Sequence, residues 1–201
     1  RQMCIRDRDF DKAISMDPKN YDRLIEIYEA LADYGYREVG QEYLQNVLNT
    51  AKQLDAYDSG RIYYYLGDYQ KAYLALEEAK GKGGVDSYLY LGKAYAATGD
   101  YNYASSVYSN YLSKQGPDAE IYNQLGLCEM AKKDYQKALE AFQAGKQIEG
   151  NSLMQTLSFN EIVAYEYLQD YQKAAVLLKA YLQNYPDDQT AIREQQFLST
   201  R

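Results

Sequence analysis

One five-residue phrase recurs four times along this chain of 201 residues and constrains its fold more than any other feature. It reads Asp-Tyr-Gln-Lys-Ala from Asp68, Asp134 and Asp170, and Asp-Tyr-Asn-Tyr-Ala from Asp100, in successive steps of 32, 34 and 36 residues. Self-similarity at this period indicates stacked repeats, each of which buries its apolar face against the next. Apolar, Tyr-rich segments flank each copy, so the pattern predicts a repeating unit of helix, short turn and helix.

The composition excludes several classes of function. The chain contains no His, which removes Ser-His-Asp and Cys-His catalysis. Its two cysteines are too few for a disulfide framework, and no Cys, Asp or Glu cluster has metal-ligand spacing. The net charge is −7 without a basic stripe, and no apolar run reaches the ~18 residues of a membrane span. We therefore predict a protein that is not an enzyme, with no cofactor, no metal, no nucleic-acid partner and no transmembrane segment.

The residues of the two central repeats follow one spacing. It places Tyr88, Leu91, Gly92, Tyr95, Ala104, Tyr108 and Tyr111 in the repeat from Val85, and Tyr122, Leu125, Gly126, Ala138 and Phe142 in the repeat from Ala119. This pattern resembles the tetratricopeptide repeat, a helix–turn–helix unit of about 34 residues. The Tyr-rich repeat sequence is similar to that of bacterial members of the family. The resemblance covers roughly residues 9–199.

The resemblance implies an all-α fold, a right-handed superhelix of antiparallel helix pairs that ends in a capping helix. The register predicts five repeats at residues 21–52, 53–84, 85–118, 119–152 and 153–186, with a C-terminal capping helix at 187–201. Residues 1–20 are interpreted as the end of an incomplete first repeat in an N-terminally truncated fragment. Residues 1–8 do not fit the register and are interpreted as a non-native addition, with an ordinary charged turn as the alternative.

Small residues and capping residues predict how each helix pair is built. Gly92 and Ala104 are expected on facing sides of two helices, where small side chains permit a close approach. The Asp of each repeated phrase is expected to cap the second helix, and Gly67 and Gly99 suit a left-handed residue that closes the first helix. In the repeat from Tyr21 the sizes are exchanged, because Tyr28 and Gly40 stand where the next three repeats have Gly and Ala.

Two junctions and one cysteine carry further expectations. The Gly145–Ser152 junction is predicted to be the loosest in the stack, and the glycines of 81–84 mark a second loose junction. The glycines of 81–84 have no Lys-Ser/Thr after them and are not a phosphate loop. Cys128 is expected to be a buried, unreactive thiol.

The family resemblance also implies a binding surface, because first-helix positions 2, 5, 9 and 12 line the concave side of such proteins. Those positions and their neighbours supply the candidate ligand-binding residues, which are Tyr57, Arg61, Tyr64, Tyr90, Lys93, Asn123, Leu127 and Phe159. Arg61 and Lys93 both take position 9 in adjacent repeats, and tyrosines surround them. Such a cationic spot suits an exposed carboxylate of a partner. The alternatives are that acids such as Glu29, Asp58 and Asp86 neutralise both cations, or that the apolar stripe of Leu127, Met130, Phe159 and Val163 binds instead.

The sequence thus predicts a non-catalytic scaffold, a monomer, that holds a peptide or protein segment in its concave groove. Two alternatives remain open at this point. One is a regulatory or substrate-docking domain of a larger enzyme, and the other is an envelope lipoprotein scaffold whose anchor is missing. The location is accordingly left open between the cytoplasm and an extracytoplasmic, membrane-anchored site.

Overall fold

The computed structural model describes residue 10 and residues 12–51, 53–80 and 84–201, and all regular secondary structure in these ranges is α-helical. The expectation of an all-α fold is therefore confirmed. The described residues 12–16 form α1. The other helices are α2 (Tyr21–Asp33), α3 (Arg37–Thr50), α4 (Ala56–Leu66), α5 (Tyr69–Ala79), α6 (Gly84–Ala97), α7 (Tyr101–Lys114), α8 (Ala119–Ala131), α9 (Tyr135–Lys146), α10 (Met154–Tyr167), α11 (Tyr171–Asn184) and α12 (Gln189–Leu198).

These helices belong to two compact units, one with α2–α5 and the other with α6–α12. Within each unit, helices that follow one another in the chain pack as hairpins. In the first unit α2, α3 and α4 share a core of Leu24, Tyr28, Leu44 and Ile62. In the second unit α12 packs on α11, where Ala191 and Leu198 join the core around Leu178. The terminal helix thereby covers an apolar face that the last hairpin would otherwise expose.

The repeated phrase performs the capping role that the sequence predicts. The side chains of Asp68, Asp100, Asp134 and Asp170 each accept a hydrogen bond from the backbone N–H three residues later. Just before the first two of these caps, Gly67 and Gly99 adopt left-handed conformations with φ of 81° and 86°. The last two turns use non-glycine residues at the same place, which the sequence did not indicate: Lys133 has φ of 64° and Gln169 has φ of 62°.

The close approach of paired helices brings a glycine of one helix against a large ring of the other. A methyl group added at Gly92 would overlap the ring of Tyr108, which lies one turn beyond Ala104 on α7. That Gly92 also faces Ala104 stays a prediction. Gly126 accommodates the ring of Phe142 in the same way. In α2 and α3 the exchange is confirmed, because a Cβ added at Gly40 would lie 2.9 Å from Cδ2 of Tyr28.

The junction from Gly145 to Ser152 makes specific contacts, and its being the loosest in the stack stays a prediction. Gly145 is buried, and a methyl group there would lie 3.1 Å from the side chain of Leu157. The Asn151 amide donates to the carbonyl of Ile148 at 2.7 Å, and its oxygen accepts from the backbone N–H of Leu153 at 3.0 Å. The boundary between the two compact units lies between residues 83 and 84. The expectations for residues 1–8 and for Gly81, Lys82 and Gly83 lie outside the described residues.

Candidate functional site

Arg61 was predicted to present a cation to a ligand, and the structure places its charge inside the protein. The residue is 7% exposed, and its guanidinium donates to Asp58 on its own helix and to Asp22 on α2. Tyr57 covers the group, with its ring centroid 4.3 Å from Cζ of Arg61. Burial alone would lower the pKa of Arg61, but the two carboxylates raise the pKa overall. The Arg61 cluster therefore ties α4 to α2.

Lys93 and Asn123 also contact neighbouring first helices. The Lys93 ammonium lies 3.5 Å from Glu120 of α8, and both side chains keep about 30% of their surface exposed. Asn123 is 5% exposed and accepts a hydrogen bond of 2.9 Å from Asn160 of α10. Polar residues at the predicted binding positions thus join α6 to α8 and α8 to α10. The sequence analysis did not predict Asn160. Its position directly after Phe159, at position 5 of the next repeat, could have indicated it.

The predicted tyrosines take different positions. Tyr57 packs on Arg61, and the Tyr90 ring lies 5.9 Å from the Lys93 ammonium. Tyr64 is half-buried, and its ring contacts those of Tyr65 and Tyr69. The grouping of Arg61 with Lys93 stays a prediction, because the two residues belong to different compact units.

The apolar stripe is the part of the predicted surface that remains open. We call Leu127, Met130, Phe159 and Val163 the apolar patch. Leu127 is 42% exposed, whereas Met130, Phe159 and Val163 are half-buried. Leu127 lies one turn beyond Asn123 on α8, and Val163 lies one turn beyond Asn160 on α10. The hydrogen bond between the two asparagines therefore brings Leu127 and Val163 onto neighbouring turns of adjacent first helices.

The chemistry available in the described residues is limited. Cys128 is 3% exposed, and burial raises the pKa of its thiol to about 12, so it is the unreactive residue that the sequence predicts. Burial, together with the facing Glu194, raises the pKa of Glu166 to about 7.

Among the described residues no group of His, Cys, Asp or Glu could hold a metal ion. None of the described helices is both long enough and apolar enough to cross a bilayer.

Sequence comparison identifies the repeat. Profiles of the tetratricopeptide repeat match residues 89–152 and residues 159–188, which include the whole of α7–α9 and α11. These two segments of the chain are tetratricopeptide repeats. The match reflects structural features described above, namely the glycine–ring contacts, the Asp caps and the helix hairpins. No curated protein sequence matches the chain significantly.

Solved structures show the same fold over most of the chain. YrrB, described as a TPR protein with an unusual peptide-binding site, has a TM-score of 0.61 and 20% identity, over 93% of this chain and 97% of YrrB. TTC0263, a thermophilic TPR protein in Thermus thermophilus, has a TM-score of 0.68 and 15% identity, over 90% and 100%. A tetratricopeptide repeat protein from Parabacteroides merdae has a TM-score of 0.64 and 17% identity, over 89% and 72%. These matches show that the chain shares the helical repeat fold of these proteins.

Proposed function

We propose that this tetratricopeptide repeat protein is a non-catalytic scaffold that binds a peptide or protein segment across the first helices α8 and α10. One observation carries the proposal. Leu127 presents an exposed leucine side chain at position 9, whereas Arg61 and Lys93 at the same position are engaged in ion pairs. An exposed apolar side chain beside half-buried ones gives a partner's apolar residue something to cover.

Two further observations support a protein partner. Tetratricopeptide repeats are in general interaction modules, and YrrB, which shares the fold, is described as having a peptide-binding site. The hydrogen bond between Asn123 and Asn160 links the helices that carry the patch, which lowers the cost of ordering their backbones on binding. A preorganised apolar surface of this kind suits a short extended or helical segment.

Lys93 gives the proposed site its polar edge. Its ammonium is 3.5 Å from Glu120 and keeps 30% of its surface exposed, so a carboxylate of the partner could replace Glu120 as its counter-ion. Arg61 does not offer the same exchange, because Asp22 and Asp58 hold it in a buried position. The proposed preference for an exposed carboxylate in the partner therefore rests on Lys93.

Peptide selection tests the proposal. A random peptide library displayed on phage would be selected on the whole chain, and the affinities of the selected peptides would be measured by titration calorimetry. We expect Leu127→Asp to weaken these peptides at least tenfold, because the charge would have to be buried against apolar groups. Val176→Asp is the matched control, since Val176 is 62% exposed on α11, outside the patch.

Each outcome of this experiment counts for or against the site. Peptides that lose affinity with Val176→Asp and not with Leu127→Asp would move binding off the apolar patch. A library that yields no peptide would contradict peptide binding at this surface. Among peptides that carry a carboxylate, Lys93→Gln should reduce affinity by about threefold and flatten the salt dependence, whereas an unchanged affinity would remove Lys93 from the site.

A further inference from the structure

A concave site of different character lies within the first compact unit. A cavity of about 460 Å³ opens where α2 and α4 meet the starts of α3 and α5. Eight residues line it: Tyr28, Glu29, Ala32, Asp33, Arg37, Tyr64, Tyr65 and Tyr69. Half of them are tyrosines, and three of the other four are charged. We call this cavity the tyrosine pocket.

The rings of the tyrosine pocket are inclined to one another rather than stacked. The centroids of Tyr28 and Tyr65 are 5.1 Å apart at an interplanar angle of 58°. Tyr64 stands nearly edge-on to Tyr65 at 5.4 Å and 79°, and it lies 5.8 Å from Tyr69 at 55°. Tyr28 is buried and its hydroxyl accepts from Arg37, whereas the half-buried Tyr64, Tyr65 and Tyr69 line the cavity. Aromatic rings that line a cavity can attract a cation electrostatically.

The carboxylates of the pocket add a negative potential. Glu29 accepts a hydrogen bond of 2.5 Å from the hydroxyl of Tyr65, which fixes that ring. Glu29 and Asp33 are both exposed, and neither makes an ion pair within the described part of the chain. Arg37 donates to the hydroxyl of Tyr28 at 3.4 Å and contributes one positive charge to the lining. The pocket therefore keeps a net formal charge of −1 beside four aromatic rings.

We propose that the tyrosine pocket binds the cationic side chain of a lysine or arginine from a protein partner. The rings would contact the aliphatic stem and the charged end, and Glu29 and Asp33 would supply the opposite charge. A carboxylate ligand would meet two like charges here, and a purely apolar side chain would leave both carboxylates unpaired. This site is separate from the apolar patch, and neither proposal depends on the other.

Small probes test the chemistry directly. Nα-acetyl-lysine methylamide would be titrated into the ¹⁵N-labelled whole chain, with Nα-acetyl-norleucine methylamide as its uncharged counterpart. We expect the lysine probe to shift the amide signals of residues 28–37 and 64–69 with a millimolar dissociation constant. The norleucine probe should bind at least fivefold more weakly, because it lacks the charge that the rings and carboxylates recognise. Equal binding of both probes would overturn the proposal and leave an apolar cleft.

Variants that remove the carboxylates of the tyrosine pocket test whether the lysine probe binds there. The double variant Glu29→Gln/Asp33→Asn should weaken the lysine probe about tenfold, since it removes both carboxylates and keeps an acceptor for the Tyr65 hydroxyl. Glu26→Gln is the matched control, because Glu26 is exposed on the same helix and does not line the pocket. An equal effect of the double variant and the control would reduce the result to general electrostatics and contradict the site.

A variant of Arg37 should have the opposite effect on the affinity for the lysine probe. Arg37→Gln removes the cation already present in the pocket and should tighten binding of the lysine probe about threefold. Tyr64→Leu should weaken that probe severalfold while leaving the binding of norleucine nearly unchanged, because it removes a π face and keeps an apolar side chain. Weaker binding of the lysine probe to the Arg37→Gln variant would contradict the electrostatic basis of the proposal.

Discussion

The helix pairs α2–α3 and α8–α9 show two ways to build the same repeat. In α8–α9 the first helix provides Gly126 and the second helix provides the ring of Phe142. In α2–α3 the first helix provides the ring of Tyr28 and the second helix provides Gly40. Both crossings combine one aromatic ring with one glycine. The side-chain volume between the helices is therefore conserved, although the ring comes from the second helix in one pair and from the first helix in the other. The family pattern is therefore a rule about summed volume at the crossing.

The turns of the same two pairs differ as well. The α8–α9 turn places Lys133 in the left-handed region and caps α9 with Asp134. The α2–α3 turn places Gly35 there with φ of 83°, and α3 begins after Tyr36 without a side-chain cap hydrogen bond. Each pair thus has one favourable residue in its turn and lacks the other. Neither helix hairpin depends on a complete set of local signals, because tertiary packing supplies most of its stability.

The largest loss of stability is expected from a substitution that disrupts the packing between α8 and α9. Gly126→Ala places a methyl group into the ring of Phe142, which is fully buried and cannot move aside. We expect a loss of about 3 kcal/mol in the free energy of unfolding, in spite of the better helix propensity of Ala. Urea unfolding followed by circular dichroism measures it. Gly40→Ala is the matched control, since its methyl group meets Tyr28 at 2.9 Å and should cost less than about 1 kcal/mol.

A double-mutant cycle then tests whether the reversed crossing is a direct contact. Gly40→Leu should cost about 2 kcal/mol because it overfills a site that already holds the Tyr28 ring. In a Tyr28→Ala background the same leucine would occupy space that the ring has left. We expect a coupling free energy of at least about 1 kcal/mol between the two positions. Additive effects in urea unfolding would show that the two residues do not share one volume.

The sequence predicted the helix hairpins, the Asp caps and the exchange of Tyr28 with Gly40 because these features are local or periodic. The 32–36-residue spacing fixes which helices pair, and a cap depends on residues within one turn of itself. The partner of Gly92 was not local. The ring that meets Gly92 belongs to Tyr108, one turn beyond Ala104 on α7, and this contact depends on the rotation of that helix about its axis.

The binding surface was harder to predict for a related reason. The stripe of first-helix positions names the residues that face one side, but it does not show which of them bind each other. Arg61 reaches Asp22 across 39 positions of the chain, and Asn123 reaches Asn160 across 37. Such pairings remove polar groups from the surface and leave Leu127 as the exposed member. The tyrosine pocket likewise depends on Tyr28 and Tyr65 from successive repeats.

The two caps offer a smaller test of the comparison. Asp134→Ala should cost about 1 kcal/mol, because it removes the acceptor for the first free N–H groups of α9. Tyr36→Asp should stabilise α3 by up to about 1 kcal/mol by supplying the cap that α3 lacks. Urea unfolding of the two variants measures both effects. Asp134→Asn is the control and should stay close to wild type, whereas a loss as large as that of Asp134→Ala would assign the effect to charge.

The smallest expected effect concerns the left-handed residue of each turn. A side chain with φ near +60° costs about 1 kcal/mol of backbone strain, and Lys133 bears that cost where Gly35 does not. Lys133→Gly relieves the strain but increases the freedom of the unfolded chain, so we expect a net gain of only about 0.5 kcal/mol. Gly35→Ala carries strain without compensation and should lose about 1 kcal/mol. Hydrogen exchange of the amides in α9 and α3 measures these shifts. A loss of protection in α9 with Lys133→Gly would mean that the Lys133 side chain stabilises its turn by more than the strain it imposes.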